Sequence, residues 1–195
     1  MNLRIPALLA AALLLTAGCS KKAKYINPDG PSKVEGTGIE SRDVRAVVDQ
    51  MTSELLQSTP LQNFEGTPRV AVLDVENRSR FLIDADIFTT LITDQLIQGA
   101  QGQLAIVNRD LIAQISKERD MKRRGEVDSE SNFKALAGVE FFLEGEVRSL
   151  SASTNKNQTD YVVIRFQLTD AESGIVGWSN SYEMKKQGHW GVMYQ

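Results

Sequence analysis

The feature that most constrains this chain is a double change of hydrophobic period between residues 69 and 107. Residues 69–75 read RVAVLDV, a continuous Val-rich apolar run of the kind expected for a strand covered on both faces. Residues 84–98 then place Ile87, Phe88, Leu91, Ile92 and Leu96 along one side at helical spacing, with Gly99 past the end, which predicts an amphipathic helix. Residues 104–107, LAIV, form a second short apolar run. Strand, helix and strand in that order predict two parallel strands with a right-handed crossover, because a right-twisted strand feeding a right-handed helix packs back onto its sheet only in that hand.

The flanking sequence supplies the rest of a core. From Ser41, a candidate N-cap, Val44, Val47, Val48, Met51 and Leu55 follow the i, i+3, i+4, i+7 rule, and Pro60 lies beyond the expected end. Residues 110–124 predict a helix with Leu111, Ile112 and Ile115 near its start, and a shorter helix is expected over residues 129–137. The period then becomes two. Val139, Phe141, Leu143 and Val147 alternate with Glu140, Glu144, Glu146 and Arg148. Val162, Ile164, Phe166 and Leu168 alternate with Arg165, Gln167 and Thr169, and Val176, Trp178, Tyr182 and Met184 form a third set. With a polar tip at residues 151–160 and a turn at residues 170–174, these segments predict an antiparallel meander. The fold class is α+β: a mixed β-sheet of about five strands flanked by helices, in a single globular domain over residues 41–195.

Chemistry is sparse in this pattern. A formal charge of -3 removes the dense basic surface that binding to nucleic acid requires. One His and one Cys cannot build a four-donor structural zinc site or an intramolecular disulfide. His189 sits beside Trp190 in what reads as a terminal tail, and Glu144 and Glu146 share a strand face that alternation assigns to solvent, where they solubilise. Gly36, Thr37 and Gly38 are too few for a phosphate loop, and no G-x-x-x-x-G-K-[ST] or G-x-S-x-G occurs. The expectation is a protein with no catalytic residues, no metal and no cofactor, which acts by binding.

The amino terminus carries export information. Arg4 is followed by the apolar run of residues 7–15 and by the small residues Thr16, Ala17 and Gly18 directly before Cys19. A positive start, a short apolar core and small residues at a cleavage point make a secretory signal over residues 1–18, too short to span a bilayer, which takes about 20 residues. Residues 15–19, LTAGC, resemble the lipobox of bacterial lipoproteins, with Thr16 where Leu is commonest. That resemblance implies a diacylglycerol on the Cys19 sulfur, cleavage before Cys19 and acylation of the new amino group. An ordinary cleaved signal with an incidental Cys is the alternative. Ser20 after the Cys implies, by resemblance to the Gram-negative sorting rule, the outer membrane facing the periplasm. Residues 19–40, with Lys21, Lys22, Lys24, Pro28, Gly30, Pro31, Gly36 and Gly38 but little apolar content, read as a lipidated flexible tether. Its lysines either solvate the linker or meet anionic head groups.

Three short segments carry a resemblance to a known family: Val75, Glu76, Asn77, Arg78 and Ser79 after the first strand; Leu104, Ala105, Ile106, Val107 and Asn108 in the second; and Gly174, Ile175, Val176, Gly177, Trp178 and Ser179 in the last hairpin. Behind a lipobox, and in this order of elements, they resemble the LpoB family of outer-membrane lipoproteins that activate a bifunctional penicillin-binding protein. The resemblance implies a sheet flanked by helices similar to the amino-terminal domain of TolB. It also implies a role in promoting peptidoglycan synthesis by docking on a non-catalytic domain of the synthase. The tether here is shorter than the long Pro-rich tether of the best-known members. No contact residue of the family transfers to this chain.

Two groups are candidates for partner binding. Asn77, Arg78 and Ser79 lie in the expected turn after the first strand, where loops on such sheets often bind; the preferred alternative is that Asn77 and Ser79 hydrogen-bond their own loop and Arg78 is solvated. Lys117, Arg119, Lys122, Arg123 and Arg124 form a basic stretch that either docks a partner or complements the helix dipole. A second reading of the whole chain is a structural or secretion-associated envelope lipoprotein related to the curli secretion channel core. It would require an added membrane-spanning hairpin, and no surplus alternating segment is evident.

Overall fold

A computed structural model describes residues 23–31, 36–128 and 135–189. The expected signal and Cys19 lie outside the described residues, as does most of the helix expected over residues 129–137; residues 135–137 are not helical.

Helix α1, Ser41–Leu56, buries Val44, Val47, Val48, Met51 and Leu55, the stripe that the spacing predicts. Its N-cap is Glu40 rather than Ser41. Glu40 has extended backbone angles, and its N–H donates to the Asp43 carboxylate at 2.8 Å, the acidic half of a capping box. Ser41 instead uses its hydroxyl to hold the Pro28 carbonyl at 2.7 Å. Pro60 does not simply terminate α1; it opens a one-turn helix, α2, Thr59–Gln62, where its missing N–H is no loss. Helix α3, Asp86–Gly99, buries Phe88, Ile92 and Leu96, while Ile87 turns out to solvent. Helix α4, Ile112–Arg123, buries no residue at all.

Five strands form one mixed sheet in the order β2-β1-β3-β4-β5. They are β1 Arg69–Arg78, β2 Ala105–Ile106, β3 Phe141–Ser153, β4 Asn157–Asp170 and β5 Val176–His189. β1 is parallel to both β2 and β3, and β3, β4 and β5 are antiparallel neighbours. Both predicted relations, the parallel pair around α3 and the closing meander, are present.

The expected boundaries move in three places. β1 shifts register against β3 between Val72 and Val75 and then resumes pairing, so Asn77 and Arg78 oppose Val147 and Arg148 in the ladder rather than lying in a turn. The polar tip over residues 151–160 is mostly ladder as well: Ser151 opposes Asp160 and Ser153 opposes Gln158. His189 is the last residue of β5, opposite Asn157, and not part of a tail. Polar strand ends satisfy their backbone groups in the ladder as readily as apolar ones do.

The core lies on one face of the sheet. Residues of α1 and α3 join Val70, Val75, Phe141, Leu143, Val147, Val162, Ile164, Phe166 and Leu168 in a single buried cluster. β1 is not covered on both faces along its length, since Leu73 is exposed. One close approach fixes how β3 and β4 stack. A Cβ on Gly145 would lie 2.5 Å from the Phe166 ring and 3.0 Å from Val75, so glycine is required by space. Arg69 and Glu140 clamp the other end of the β1–β3 pair: the Glu140 carboxylate accepts the Arg69 backbone N–H at 2.7 Å and its guanidinium as well. That contact holds the Glu140 carboxyl below its usual range.

Gly145→Ala is expected to destabilise the domain by about 1–3 kcal/mol through overpacking. Denaturant titration checks it as a lower midpoint with an unchanged slope.

Candidate functional site

The loop leaving β1 is built around Asn77. Its Oδ1 accepts the Ser79 N–H at 3.0 Å and the Ser79 hydroxyl at 2.7 Å, and its Nδ2 donates to the Phe81 carbonyl at 2.8 Å. Asn77 and Ser79 therefore shape their own loop. Arg78 points to the open sheet face, where it meets Glu76 at 2.6 Å and Glu146 at 3.9 Å. It is not merely solvated.

Glu146 also accepts from Arg148 at 2.8 Å and Arg165 at 2.9 Å, so one mostly buried carboxylate gathers three guanidinium groups. Glu144 accepts from Gln167 and from the Thr169 hydroxyl. The two glutamates that alternation assigns to solubilising roles are thus bound into a polar lattice on the face opposite the helices.

The next residue, Arg80, anchors the loop. Its N–H donates to Ser149 Oγ at 2.9 Å, and its guanidinium grips Asp160 with two bonds of 2.9 and 2.7 Å while lying 4.7 Å over the Phe81 ring. Asp160 is 0% exposed. Gln158 donates to it at 2.7 Å and Ser151 donates as well. Burial by itself would raise the Asp160 carboxyl, but Arg80, Ser151, Thr37 and Gln158 more than offset it and hold the group well below the usual carboxylate range. The loop so fixed presents Leu82, 97% exposed.

Residues 36–40, read from sequence as the end of the tether, reach this knot. Gln158 Nε2 donates to Thr37 Oγ1 at 3.3 Å, and Lys186 Nζ donates to the Gly38 carbonyl at 2.9 Å while pairing with Asp43.

Sequence reasoning missed the pair of Arg80 and Asp160. A signal existed: Asp160 is in phase with Val162, Ile164, Phe166 and Leu168, the inward set of β4. Treating residues 151–160 as a tip hid that phase.

The basic stretch lies on α4 and just beyond it, and much of its charge is met locally. Lys122 pairs with Glu118 at 3.5 Å, Arg123 with Asp120 at 3.3 Å and Arg124 with Glu126 at 2.6 Å. Lys117 is exposed and Arg119 is half-buried. Leu111 is 47% exposed and Ile115 38%. The stretch does not adjoin Asn77: β2, which leads into α4, pairs with β1 at Arg69 and Val70, the opposite end of that strand. Among the described residues no three His, Cys, Asp or Glu side chains are placed to hold a metal. No described helix is long and apolar enough to cross a membrane.

Among the described residues, fold and surface define an α+β architecture with helices layered on one sheet face, a polar lattice on the other, and one helix left outside the core. The model of the peptidoglycan-synthase activator LpoB family matches residues 43–184, and the chain belongs to that family. Among solved structures it is similar to the LpoB C-terminal domain from Salmonella enterica (15% identity, 73% of this chain and 98% of that one, TM-score 0.47). It is also similar to the corresponding domain from Escherichia coli (14%, 73% and 98%, 0.46) and to the NMR structure of E. coli LpoB (14%, 89% and 87%, 0.45). No curated protein matches the sequence.

Arg80→Ala leaves a buried carboxylate without its cation and is expected to cost about 3 kcal/mol, a fall in Tm of roughly 6–12 °C for a domain of this size. The sign with pH follows from the depressed Asp160 carboxyl. Its stabilisation is complete above the unfolded value of about 4 and is lost as pH falls below it, so Arg80→Ala should flatten the acid limb of a Tm-against-pH curve.

Proposed function

We propose that the chain is a lipid-anchored lipoprotein on the periplasmic side of the outer membrane that activates a bifunctional penicillin-binding protein by direct binding. The observation that carries this reading is the family match over residues 43–184. Cys19 bears the lipid: one acyl chain holds a protein only marginally, whereas two or more make a stable anchor. Residues 19–40 link Cys19 to the domain, but Pro28 and residues 36–40 are held against it, so the free reach is shorter than the roughly 65 Å that about twenty fully stretched residues would span.

A protein that brings no chemistry can accelerate a synthase only by binding its active conformation more tightly than its inactive one. Two separate contacts are proposed, α4 and the loop after β1, which lie toward opposite ends of β1. α4 contributes nothing to the core yet carries Leu111 and Ile115 exposed, with Lys117, Arg119, Lys122, Arg123 and Arg124 around and beyond them. An apolar strip rimmed by cations fits a groove with an acidic border. Asn77, Arg78 and Ser79 mark the second contact, with Asn77 and Ser79 shaping the loop and Arg78 held at its base by Glu76 and Glu146.

Glycan polymerisation by a purified bifunctional penicillin-binding protein tests both levels. The mature lipoprotein should raise the rate. Ile115→Asp should raise the concentration needed for half-stimulation about tenfold with little change in Tm, since the residue lies outside the core. No stimulation by the wild-type chain would refute activation, and full potency of Ile115→Asp would remove α4 from the interface.

A further inference from the structure

β5 closes the sheet at the edge opposite β2, and among the described residues no strand pairs with its outer side. Its ladder with β4 runs in unbroken register from Trp178 to His189. An edge of that length, with no bulge and no proline, presents outward N–H and C=O groups as a template for another strand. Of the two lysines that would usually guard such an edge, one is engaged elsewhere. Lys186 folds onto the Gly38 carbonyl and Asp43, and Lys185 shares the open face with Glu183, opposite Tyr161 and Val163.

We propose that β5 is a self-association edge, pairing antiparallel with β5 of a second copy about a twofold axis at Met184. The choice of register follows from faces and charges. Directly opposed residues in an antiparallel pair share a sheet face. A register centred between residues would set Tyr182 or Met184 against Ser181, Glu183 or Lys185 and mix the helix-covered face with the open one. Residue-centred registers keep the faces continuous. Among these, centring on Glu183 or Lys185 opposes like charges, and centring on Asn180, Ser181 or Tyr182 opposes no charges at all. Centring on Met184 places each Glu183 opposite the Lys185 of the copy, twice, which is the favourable arrangement for cross-strand pairs. This charge complementarity points to a second copy, rather than an unrelated strand, as the occupant.

The pairing has a geometric consequence for anchoring. Residues 36–40 meet β5 at Gly188, beside Thr37, and at Lys186, beside Gly38. Gly188 lies four positions from the axis, so the two contact points stand about 26 Å apart on the same face of the joined sheet. α4, which follows β2, lies toward the other edge and stays free, whereas the loop after β1 reaches across to Asp160 of β4.

Single cysteines at residues 182–186 of the full chain, oxidised mildly in membranes, read the register directly. Disulfide-linked dimer should be greatest for Met184→Cys. Absence of dimer at every position, a maximum elsewhere, or cross-linking only to a different protein would overturn the proposal. Because Met184 packs partly against the core, a charge exchange gives an independent test. Glu183→Lys and Lys185→Glu should each weaken self-association about tenfold in sedimentation equilibrium, and the double exchange should restore it. A wild-type chain that stays monomeric through the micromolar range, or a double exchange that fails to restore association, would equally overturn it.

Discussion

Everything in this domain is arranged around the layering of two helices on one face of a mixed sheet. β3 is the central strand, parallel to β1 and antiparallel to β4, and it can sit at that junction because Gly145 lets the Phe166 ring pass over its backbone. Once β1, β3 and β4 stack in that register, the buried rows of α1 and α3 have one surface to fit. The opposite face is left to Glu76, Arg78, Glu144, Glu146, Arg148, Arg165 and Gln167, which satisfy one another.

A second constraint operates at the far end of the strands. Asp160 has no solvent, so it must be paired to remain charged. Arg80, Ser151, Gln158 and Thr37 come to it from a loop, two strands and the segment before α1. The buried carboxylate therefore ties the loop after β1 to the place where the amino-terminal segment enters the domain. A loop held this way can present Leu82 in a fixed geometry, which lowers the ordering cost of any partner that uses it.

Much of the architecture was legible in the sequence because it is written in long periodic runs. α1 sets five apolar residues on one buried stripe, and β4 alternates without interruption from Asp160 to Leu168. The ends were less legible. Nothing apolar marks Asn77, Arg78, Ser151 or His189 as strand residues; they pair because the neighbouring strand extends that far. Arg80 and Asp160 are far apart in sequence, and only the phase of Asp160 betrays its burial. α4 misled in the other direction. Leu111, Ile112 and Ile115 have the spacing of a buried stripe, yet no α4 residue is buried, so periodicity shows that a helix has an apolar side without showing what covers it. The loop-bonding reading of Asn77 and Ser79 holds in the structure, whereas Arg78 belongs to an ion lattice that local sequence could not reveal.

That contrast between a spent face and an unspent helix is the basis for the proposed activation by contact, and amide hydrogen exchange addresses it most directly. Exchange is followed for the chain alone and in the presence of a purified bifunctional penicillin-binding protein. New protection should appear over residues 109–125 and 77–82, with slow exchange in α1 and α3 unchanged. Protection confined to α1 and α3, or none anywhere on the chain at saturating synthase, would contradict a docking surface made from the parts the core does not use.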